Sequence, residues 1–554
     1  MKYKRRDLLK LSIISSILGP SSLFSYTPKK SYHTNLKYVH LNIAGGPARW
    51  LFDNPIAPHK NSKWEAHPMI VNSFENSGTV ADVNSLKYMR TKVNDFYMPS
   101  FWKGHLFSDS GKVDASQLLD QCLIVRGCHM GIDGHSLNNR RLLAPIPGRA
   151  NITGLIAEKS NKIFQSVNLV ADSGIAGVAG GTFQSNNNSE QINVPQNEKE
   201  PISFLLNPFL SIKKYGKDKS MRELITGYLK SESKLSKVLT KDLEKINSDF
   251  YKAQEKYQSI ITKSILSMDI EKLTDRMIPG ISLKTLKLGK QNQEIGKYIN
   301  NDFLIGNNDL RSLLREAVIE NLANEFAATE LLLVNDLVSV VNININTLSH
   351  LNYENSMKSE NLERVISKAK ETNFYLRSFK GYEKNVDRLH EFQLDSHETG
   401  LLPNMLLTTY FYRAIASCIF QLKKELIKAK EWDNTLLHLA SEFDRDPRPD
   451  CSGSEHGWNG HVSSFYSGMI DGLQVVGNTQ VNSTGDSYYK NNGTWGQGDK
   501  LKSLNGREIV YGNIASGICA IFGVDSPTPN DKPLFYKYAG KIKLVTSECV
   551  NVKT

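Results

Sequence analysis

The last third of the chain holds two clusters of Asp, Glu, His and Arg, the side chains that bind metal ions and phosphate groups. The first is Asp395-Ser396-His397-Glu398, in which Asp395 and His397 stand two residues apart. Alternate side chains of an extended segment point to the same side, so both could reach one cation. On its own, this pair favours a polar surface turn.

The second cluster combines carboxylates, arginines and histidines over a longer stretch. It begins with Ser441-Glu442-Phe443-Asp444-Arg445-Asp446-Pro447-Arg448 and continues with Glu455-His456-Gly457-Trp458 and His461. Carboxylate oxygens and a neutral imidazole bind zinc or manganese, and an arginine can hold a phosphate or a sulfate with two parallel hydrogen bonds. The cluster therefore has the parts of a metal and anion site, although taken alone it favours a solvated loop of ion pairs.

Short apolar segments that end in glycine-rich or polar loops predict the elements that position these side chains. Tyr38–Ile43 runs into Ala44-Gly45-Gly46-Pro47, and Cys122–Val125 runs into Arg126-Gly127-Cys128-His129. Strands that end in such loops are typical of an α/β sheet whose functional groups lie at the strand ends. Further strands are predicted at Val167–Ala171, Leu337–Ile345 and Leu436–Phe443, and a long amphipathic helix at Leu401–Lys430.

The middle of the chain has a different, helical pattern. Apolar residues recur there at alternating spacings of four and three, which indicates a helix with one apolar seam. A partner helix is predicted within 309–335, and an intramolecular helical hairpin is favoured over dimerisation. The seam consists of Leu239, Leu243, Ile246, Phe250, Ala253, Tyr257 and Ile260.

The amino terminus has the pattern of an export signal. A basic start is followed by an apolar run from Leu8 to Leu18 that is too short for a stable membrane span. Arg5-Arg6-Asp7-Leu8-Leu9-Lys10 resembles the twin-arginine motif, with an ordinary secretory peptide as the alternative. We expect recognition by the twin-arginine export machinery, a periplasmic or extracellular location, and no stable membrane span after cleavage.

Composition excludes several classes of protein. The 554 residues are 40% hydrophobic and 23% charged, which excludes wholesale disorder, collagen and a polytopic membrane protein. The formal charge is +11, but no basic cluster interleaved with aromatic residues predicts a nucleic-acid partner.

The cysteines and three histidines give weaker signals. The six cysteines lack Cys-x-x-Cys spacing, and a disulfide could join Cys122 with Cys128, or Cys451 with a distant partner. His40 and His438, inside predicted strands, are interpreted as core residues. His461 could be a ligand or could open a helix.

Six segments resemble, in the same order, the motifs of a bacterial family of exported proteins called domain of unknown function 1501, in the alkaline-phosphatase-like superfamily. The glycine turn after the first strand and Phe52-Asp53 resemble the family's Gly-Gly-Pro-Ser-His and Phe-Asp. The resemblance covers nearly the whole chain after the leader. The other matching segments are Val125–His129 with Gly134-His135, Asp395–Glu398, Thr435–Arg448, Glu455–Trp458 and Gly472–Gly477.

The resemblance implies an α/β fold, an alkaline-phosphatase-like three-layer sandwich with a mostly parallel sheet and a site at the carboxyl ends of its strands. Combined with the composition of the chain, it predicts a helical insertion in this core. The expected organisation is a leader at 1–25, a first part of the core at 36–183, a polar linker at 184–200, the insertion at 201–330, and the second part of the core at 331–554.

The same resemblance implies a metal-dependent hydrolase of anionic phosphate or sulfate esters. Zinc, manganese or calcium would be the divalent metal. The expected metal ligands are Asp53, His129, Asp395, His397, Glu455 and His456.

The catalytic groups implied by the resemblance are a nucleophile, a second pocket histidine and an anion-binding arginine. Ser136 is the candidate nucleophile, although a serine there fits a plain helix N-cap equally well. His135 would line the pocket, and Arg445 or Arg448 would hold the anion.

Departures from the family pattern support a second hypothesis. Glu455 stands where the family has Asp, and Asp444 and Asp446 replace its Gly and Thr. These changes favour a non-catalytic envelope or surface-binding protein on the same fold. Bound metals would favour the hydrolase, whereas Asp444 and Asp446 facing inward would favour the scaffold.

Overall fold

The structure is a computed structural model of the 554-residue chain. It describes residues 34–55, 74–76, 86–88, 91–169, 183–186, 189–195, 200–206, 243–266, 320–345, 351–352, 391–392, 401–447, 454–457, 459–481 and 495–545.

A central sheet organises the described part of the chain, where ten strands join it. Several of them are short runs of Val, Ile and Leu, residues whose side chains pack well on a pleated surface. The strands are β1 (Lys37–Ile43), β2 (Gln121–His129), β3 (Phe164–Asn168), β4 (Gln191–Asn193), β5 (Val338–Ile345), β6 (Thr435–Ala440), β7 (His461–Tyr466), β8 (Gly472–Val476), β9 (Lys500–Leu501) and β10 (Arg507–Val510).

The sheet is mostly parallel. Its order is β4-β3-β5-β1-β6-β7-β2, and β2 is then flanked by β8 along its first half and by β10 at its end. Strand β7 runs antiparallel to both β6 and β2, and the short edge strand β9 runs antiparallel to β10. The carboxyl ends of β1, β2, β5, β6 and β10 therefore lie at one edge, where open α/β sheets bind ligands.

Helices cover both faces of this sheet, which gives a mixed α/β architecture in three layers. Alternation along β1 sends Val39, Leu41 and Ile43 to one apolar cluster and Tyr38 to the other. Burial on both faces explains why β1, β5 and β6 are buried along their whole length. The helices are α1 (Ser116–Leu119), α2 (His135–Leu143), α3 (Ile152–Glu158), α4 (Leu243–Leu266), α5 (Glu320–Val334), α6 (Leu401–Lys428) and α7 (Tyr511–Phe522).

The long helices α4, α5 and α6 form one outer layer, and α2, α3 and α7 form the other. The predicted seam is confirmed for its later part in α4, where Phe250, Ala253, Tyr257 and Ile260 are buried. Leu239 and the side chains of Leu243 and Ile246 lie outside the described residues. Helix α4 packs against both α5 and α6 of the same chain, as the hairpin interpretation requires. Among the described residues, no helix combines the length and the apolar character needed to cross a bilayer.

Several local predictions change in the structure. Strand β2 continues through Arg126 to His129, where a loop was expected, and Gln191–Asn193 of the predicted linker joins the sheet as β4. Cys122 and Cys128 are free thiols, and Cys451 lies outside the described residues. They lie six residues apart on one strand, about 20 Å at the usual rise per residue, whereas a disulfide needs Cα atoms within about 7 Å.

Outside the central sheet, short strands form two-stranded antiparallel pairs. One of them, Asp444–Pro447 with Ser454–Gly457, is called the site hairpin and belongs to the candidate site. Another pairs Thr479–Val481 with Trp495–Gly498. The others are Phe74–Asn76 with Leu86–Tyr88, Thr91–Val93 with Phe96–Met98, His105–Ser108 with Gly111–Asp114, Leu351–Asn352 with Glu391–Phe392, and Phe535–Tyr538 with Lys541–Leu544.

Candidate functional site

Neighbouring parallel strands bring the first parts of the site together. Strands β1 and β6 pair in parallel, with Asn42 opposite Ala440. The segments that follow each strand must therefore emerge side by side at the carboxyl edge. There the backbone N–H of Gly45 donates to Oε1 of Glu442 at 2.8 Å.

Glu442 also binds the first histidine of the site. His135 is the first residue of α2, the helix that follows β2. Its Nδ1 lies 2.6 Å from Oε1 of Glu442, whose side chain is fully buried, while the His135 side chain is 14% exposed. His135 follows β2 and Glu442 follows β6, so this contact joins segments from the two strands that flank β7.

A second carboxylate–histidine pair stands beside the first. In the site hairpin His456 lies opposite Arg445, and its Nδ1 bonds to Oδ1 of Asp133, in the turn before α2. The rings of His135 and His456 have centroids 4.5 Å apart and are nearly perpendicular, at 82°. We call His135, Glu442, His456 and Asp133 the paired-histidine cluster.

The ring of Phe443 packs against both histidines of this cluster. Its ring stacks on His456 at 4.3 Å and lies 4.7 Å from the ring of His135. Phe443 also explains a glycine in the loop after β1. Gly46 has φ +55°, and a Cβ there would lie 2.4 Å from the Phe443 ring, so only glycine fits this turn.

The donor chemistry of the cluster fits two ligands of a single divalent metal. Histidines that bind metals nearly always turn their other ring nitrogen to a carboxylate or carbonyl, which fixes the tautomer and the ring orientation. In both His135 and His456 the Nδ1 atom has such a carboxylate partner. Within the described ranges, no three His, Cys, Asp or Glu side chains come together as a metal-binding group.

Asp53, a predicted metal ligand, lies in a buried ion pair. Nε of Arg49 donates to its Oδ1 at 2.9 Å, and Nη2 of Arg49 donates to its Oδ2. Ser464 Oγ donates to the same Oδ2 at 2.5 Å, and Asp53 and Arg49 are both 0% exposed. The guanidinium thus supplies the positive charge that a metal ion would have supplied at this carboxylate.

Asp444 is also committed to protein contacts. Its Oδ1 accepts the backbone N–H groups of Arg49 at 2.6 Å and Arg445 at 2.7 Å, and its Oδ2 accepts from Asn54 at 2.8 Å. Burial raises the pKa of Asp444 to about 7, although these hydrogen bonds oppose the shift. Asp444 therefore faces inward and organises the loops after β1 and β6.

Arg445, predicted to hold an anion, organises the glycine turn. Its side chain is buried, and its Nε donates to the carbonyl oxygen of Gly46 at 2.7 Å while Nη2 donates to that of Gly45. Its guanidinium also lies over the Phe443 ring, 5.3 Å from the centroid. These contacts position the loop that holds Glu442, and the anion-binding role stays a prediction.

Two further predicted residues lie at the same edge. Ser136 is exposed in the first turn of α2, directly after His135. His129 ends β2, and its Nδ1 accepts the backbone N–H of Gly131 at 2.8 Å. Burial lowers the pKa of His129, Glu508 opposes this shift, and Arg141 adds to it.

The remaining predicted ligands are not placed. Asp395, His397 and Arg448 lie outside the described residues. The backbone of Glu455 lies in the site hairpin, opposite Asp446, but its side chain is outside the description. Of the three expected metal ligands whose side chains the structure describes, Asp53, His129 and His456, only His456 belongs to the paired-histidine cluster.

Behind the site, a hydrogen-bonded chain of buried polar groups crosses the sheet. Tyr38 OH lies 2.8 Å from Nδ1 of His438, whose Nε2 lies 3.0 Å from Ser463 Oγ. Ser463 Oγ also lies 2.9 Å from Nε2 of His461. His40 and His438 are fully buried, which confirms them as core residues, and His461 opens a strand rather than a helix.

Reasoning from the sequence included Glu442 in a candidate cluster without assigning it a role, and it missed Asp133. Glu442 is the first carboxylate after the apolar run of β6, and this position at a strand end was the available signal. Asp133 stands between Ile132 and Gly134 in the turn before α2 and carries no comparable signal.

Comparison with models of protein families, with curated proteins and with solved structures finds no match to this chain.

Proposed function

We propose that this chain is an exported, alkaline-phosphatase-like protein of the domain of unknown function 1501 family, and a metal-dependent hydrolase of phosphate or sulfate esters. The twin-arginine machinery would deliver it to the periplasm or the cell exterior. The mostly parallel sheet with helices on both faces supports the fold part of the proposal. The paired-histidine cluster at the carboxyl edge is the observation that supports the chemistry.

In this proposal His135 and His456 hold the metal. Glu442 and Asp133 fix the ring orientations and make the imidazoles more basic, as carboxylates behind metal-binding histidines do. The metal would neutralise charge on the transferring phosphoryl or sulfuryl group and hold it in line with the attacking oxygen. Asp395, His397 and Glu455 are proposed to complete the coordination.

Ser136 is proposed as the nucleophile. It adjoins His135 and is exposed, so a substrate can reach its hydroxyl. It lies in the first turn of the nine-residue helix α2, where unpaired backbone N–H groups and the helix dipole favour an oxygen anion. Asn138 and Asn139, one turn further along, are buried and anchor the helix, so that its first turn is held against the cluster.

Ester hydrolysis with matched variants tests this function. We expect purified mature protein to release nitrophenol from p-nitrophenyl phosphate or p-nitrophenyl sulfate, to lose this activity with a chelator, and to regain it with zinc, manganese or calcium. His135→Ala and Ser136→Ala should each lose at least tenfold in kcat/KM, whereas Leu137→Ala, at the exposed next position, should keep it. Full activity in the presence of chelator, or in Ser136→Ala, would contradict the mechanism.

The alternative is a non-catalytic envelope or surface-binding protein on the same fold. The observation that favours it is that two carboxylates at the carboxyl edge bind other groups of the protein: Asp53 pairs with Arg49, and the buried Asp444 accepts three hydrogen bonds. Metal binding without hydrolysis of either ester would support this alternative.

A further inference from the structure

Asparagines form a hydrogen-bonded row on the face of the sheet that α2, α3 and α7 cover. Asn42 of β1, Asn344 of β5 and Asn168 of β3 are each 0% exposed. Nδ2 of Asn344 donates to Oδ1 of Asn168 at 2.7 Å, and Nδ2 of Asn168 donates to Oδ1 of Asn193 in β4 at 3.2 Å. Nδ2 of Asn42 lies 3.5 Å from Oδ1 of Asn344, its neighbour in the strand register. This amide row therefore crosses four adjacent parallel strands near their carboxyl ends.

The amide row continues from the sheet into α2. Nδ2 of Asn42 donates to Oδ1 of Asn139 at 3.0 Å, and Asn139 is also 0% exposed. Asn139 stands four residues after His135 in this helix. Side chains at this spacing share one side of a helix, with their Cβ atoms about 5–6 Å apart. The contact with Asn42 therefore holds the side of α2 that carries His135.

Three hydrogen bonds join α2 and the ends of β1 and β6 pairwise beside the paired-histidine cluster. Glu442, which follows β6, binds Nδ1 of His135 at 2.6 Å. The backbone N–H of Gly45, which follows β1, donates to the same carboxylate at 2.8 Å. The contact between Asn42 and Asn139 closes the set, because it joins β1 to α2. The position of His135 relative to Glu442 therefore depends on a second contact one helical turn further along.

The amide of Asn139 is not required for the burial of α2. Leu142 and Leu143 already bury the helix in the apolar layer, and such packing is non-directional. An amide in the same layer has a desolvation cost that an apolar side chain does not have. Hydrogen bonding offsets this cost only in part at Asn139, because its Nδ2 has no partner among the described residues. What the amide adds is a directional contact, which favours a role in the geometry of the site over a role in stability.

We propose that Asn139, held by Asn42 and the amide row, is a positioning residue that orients His135 for metal binding. Asn139 acts through α2 and touches neither the metal nor the substrate. The row links the ends of four strands to the helix that carries His135, so the geometry of the sheet determines that of the ligand. This inference rests on the proposed function for the metal, whereas the effect of Asn139 on α2 can be measured without metal.

Leucine variants separate positioning from a purely structural role, because leucine has nearly the shape of asparagine. Asn139→Leu removes one acceptor of Asn42, whereas the double variant Asn42→Leu/Asn139→Leu removes both partners, a change that can leave stability nearly unaltered. Asn168→Leu is the matched control, since it alters an equally buried amide of the same row, two strands from β1. Each variant is measured for zinc affinity by competition with a chelating dye, for stability in urea, and for hydrogen exchange of residues 138–143 without metal.

We expect Asn139→Leu and the double variant to bind zinc about tenfold more weakly, the lower end of the loss seen when the support of a metal-binding histidine is removed. Asn168→Leu should stay within about threefold of the unaltered protein, even where its stability falls as far as that of Asn139→Leu.

Without metal, the backbone amides of residues 138–143 should exchange at least about fivefold faster in Asn139→Leu and at an unchanged rate in Asn168→Leu. Unchanged zinc affinity or unchanged exchange in Asn139→Leu would overturn the proposal. An equal loss of zinc affinity in Asn168→Leu would overturn it too and assign the row a structural role. If the unaltered protein binds no zinc, the proposed function fails, and the exchange rates alone decide whether Asn139 positions α2.

Discussion

Each histidine of the paired-histidine cluster depends on a carboxylate for its orientation, and Glu442 is the more buried of the two carboxylates. Glu442→Gln keeps an oxygen that can accept from Gly45 and His135 but removes the negative charge. Loss of a carboxylate behind a metal-binding histidine usually lowers metal affinity about 10–100-fold. We expect a reduction of that size for zinc, measured by competition with a chelating dye.

The matched control for this prediction is Glu255→Gln, which makes the same chemical change at an exposed position of α4. It should leave zinc affinity unchanged. If Glu442→Gln binds zinc as tightly as the unaltered protein, Glu442 has no role in orienting a ligand.

The buried histidines give the protein a specific sensitivity to acid. Burial lowers the pKa values of His40 and His461 from 6.5 to about 3. Between pH 6.5 and 3 the unfolded chain therefore binds protons that the folded chain does not, so stability falls as the pH falls. Each such histidine contributes about 1.4 kcal/mol per pH unit in that window. Asp444, with a folded pKa of about 7 against 3.8, acts in the opposite direction and partly offsets the effect.

Replacing His40 isolates one part of this effect. Neither ring nitrogen of His40 has a hydrogen-bond partner among the described residues, and its ring lies among those of Tyr38 and His438. His40→Phe should therefore fold, and urea denaturation should show a smaller loss of stability between pH 6.5 and 4.5 than in the unaltered protein. An identical pH dependence would show that His40 does not titrate as the structure implies.

At the scale of elements, α4 is fixed by contacts with two other helices. Lys256 Nζ lies 2.7 Å from Glu330 of α5 and 3.2 Å from Glu425 of α6, and Tyr257 OH donates to Glu330 at 2.8 Å. These polar contacts flank the apolar seam, so the seam is interior to one chain and is not a dimer surface.

Truncating the seam should therefore destabilise the monomer without changing its oligomeric state. Ile260 is 1% exposed. Removing such a side chain leaves a cavity, and Ile260→Ala should lower the free energy of unfolding by about 2–5 kcal/mol. Lys252→Ala, at a position that is 73% exposed on the same helix, is the control and should change it little. Dissociation of an oligomer upon Ile260→Ala, observed by light scattering, would instead support the dimer interpretation.

Periodicity predicted the buried elements well and the polar ones poorly. Strands β1, β5 and β6 and helices α4 and α6 are recognisable because apolar residues must follow the period of the element that buries them. Strand β4, with sequence Gln-Ile-Asn, lies at a sheet edge, where backbone pairing with β3 requires no apolar run. The prediction for β2 ended too early because Arg126 and Gly127 interrupt its apolar pattern. In the structure Arg126 is nevertheless buried and donates to the carbonyl oxygen of Asp53.

At the scale of the whole molecule, the parallel order of the strands determines which distant residues meet. His135 and Glu442 are separated by 307 positions in the chain, and the pairing of their strands around β7 brings them together. Motif order placed both segments at the same edge of the sheet. It could not select Glu442 over Arg445 as the partner of His135, because that choice depends on side-chain packing around Phe443.

Metal content of the purified mature protein, measured by elemental mass spectrometry, tests the central claim most directly. We expect near-stoichiometric zinc, manganese or calcium in the unaltered protein, and a loss of at least half of it in His456→Ala and in Asp395→Ala. His105→Ala, at a histidine outside the cluster, should retain the metal. Absence of metal from the unaltered protein even after reconstitution, or equal retention in all variants, would contradict a metal centre at the paired-histidine cluster.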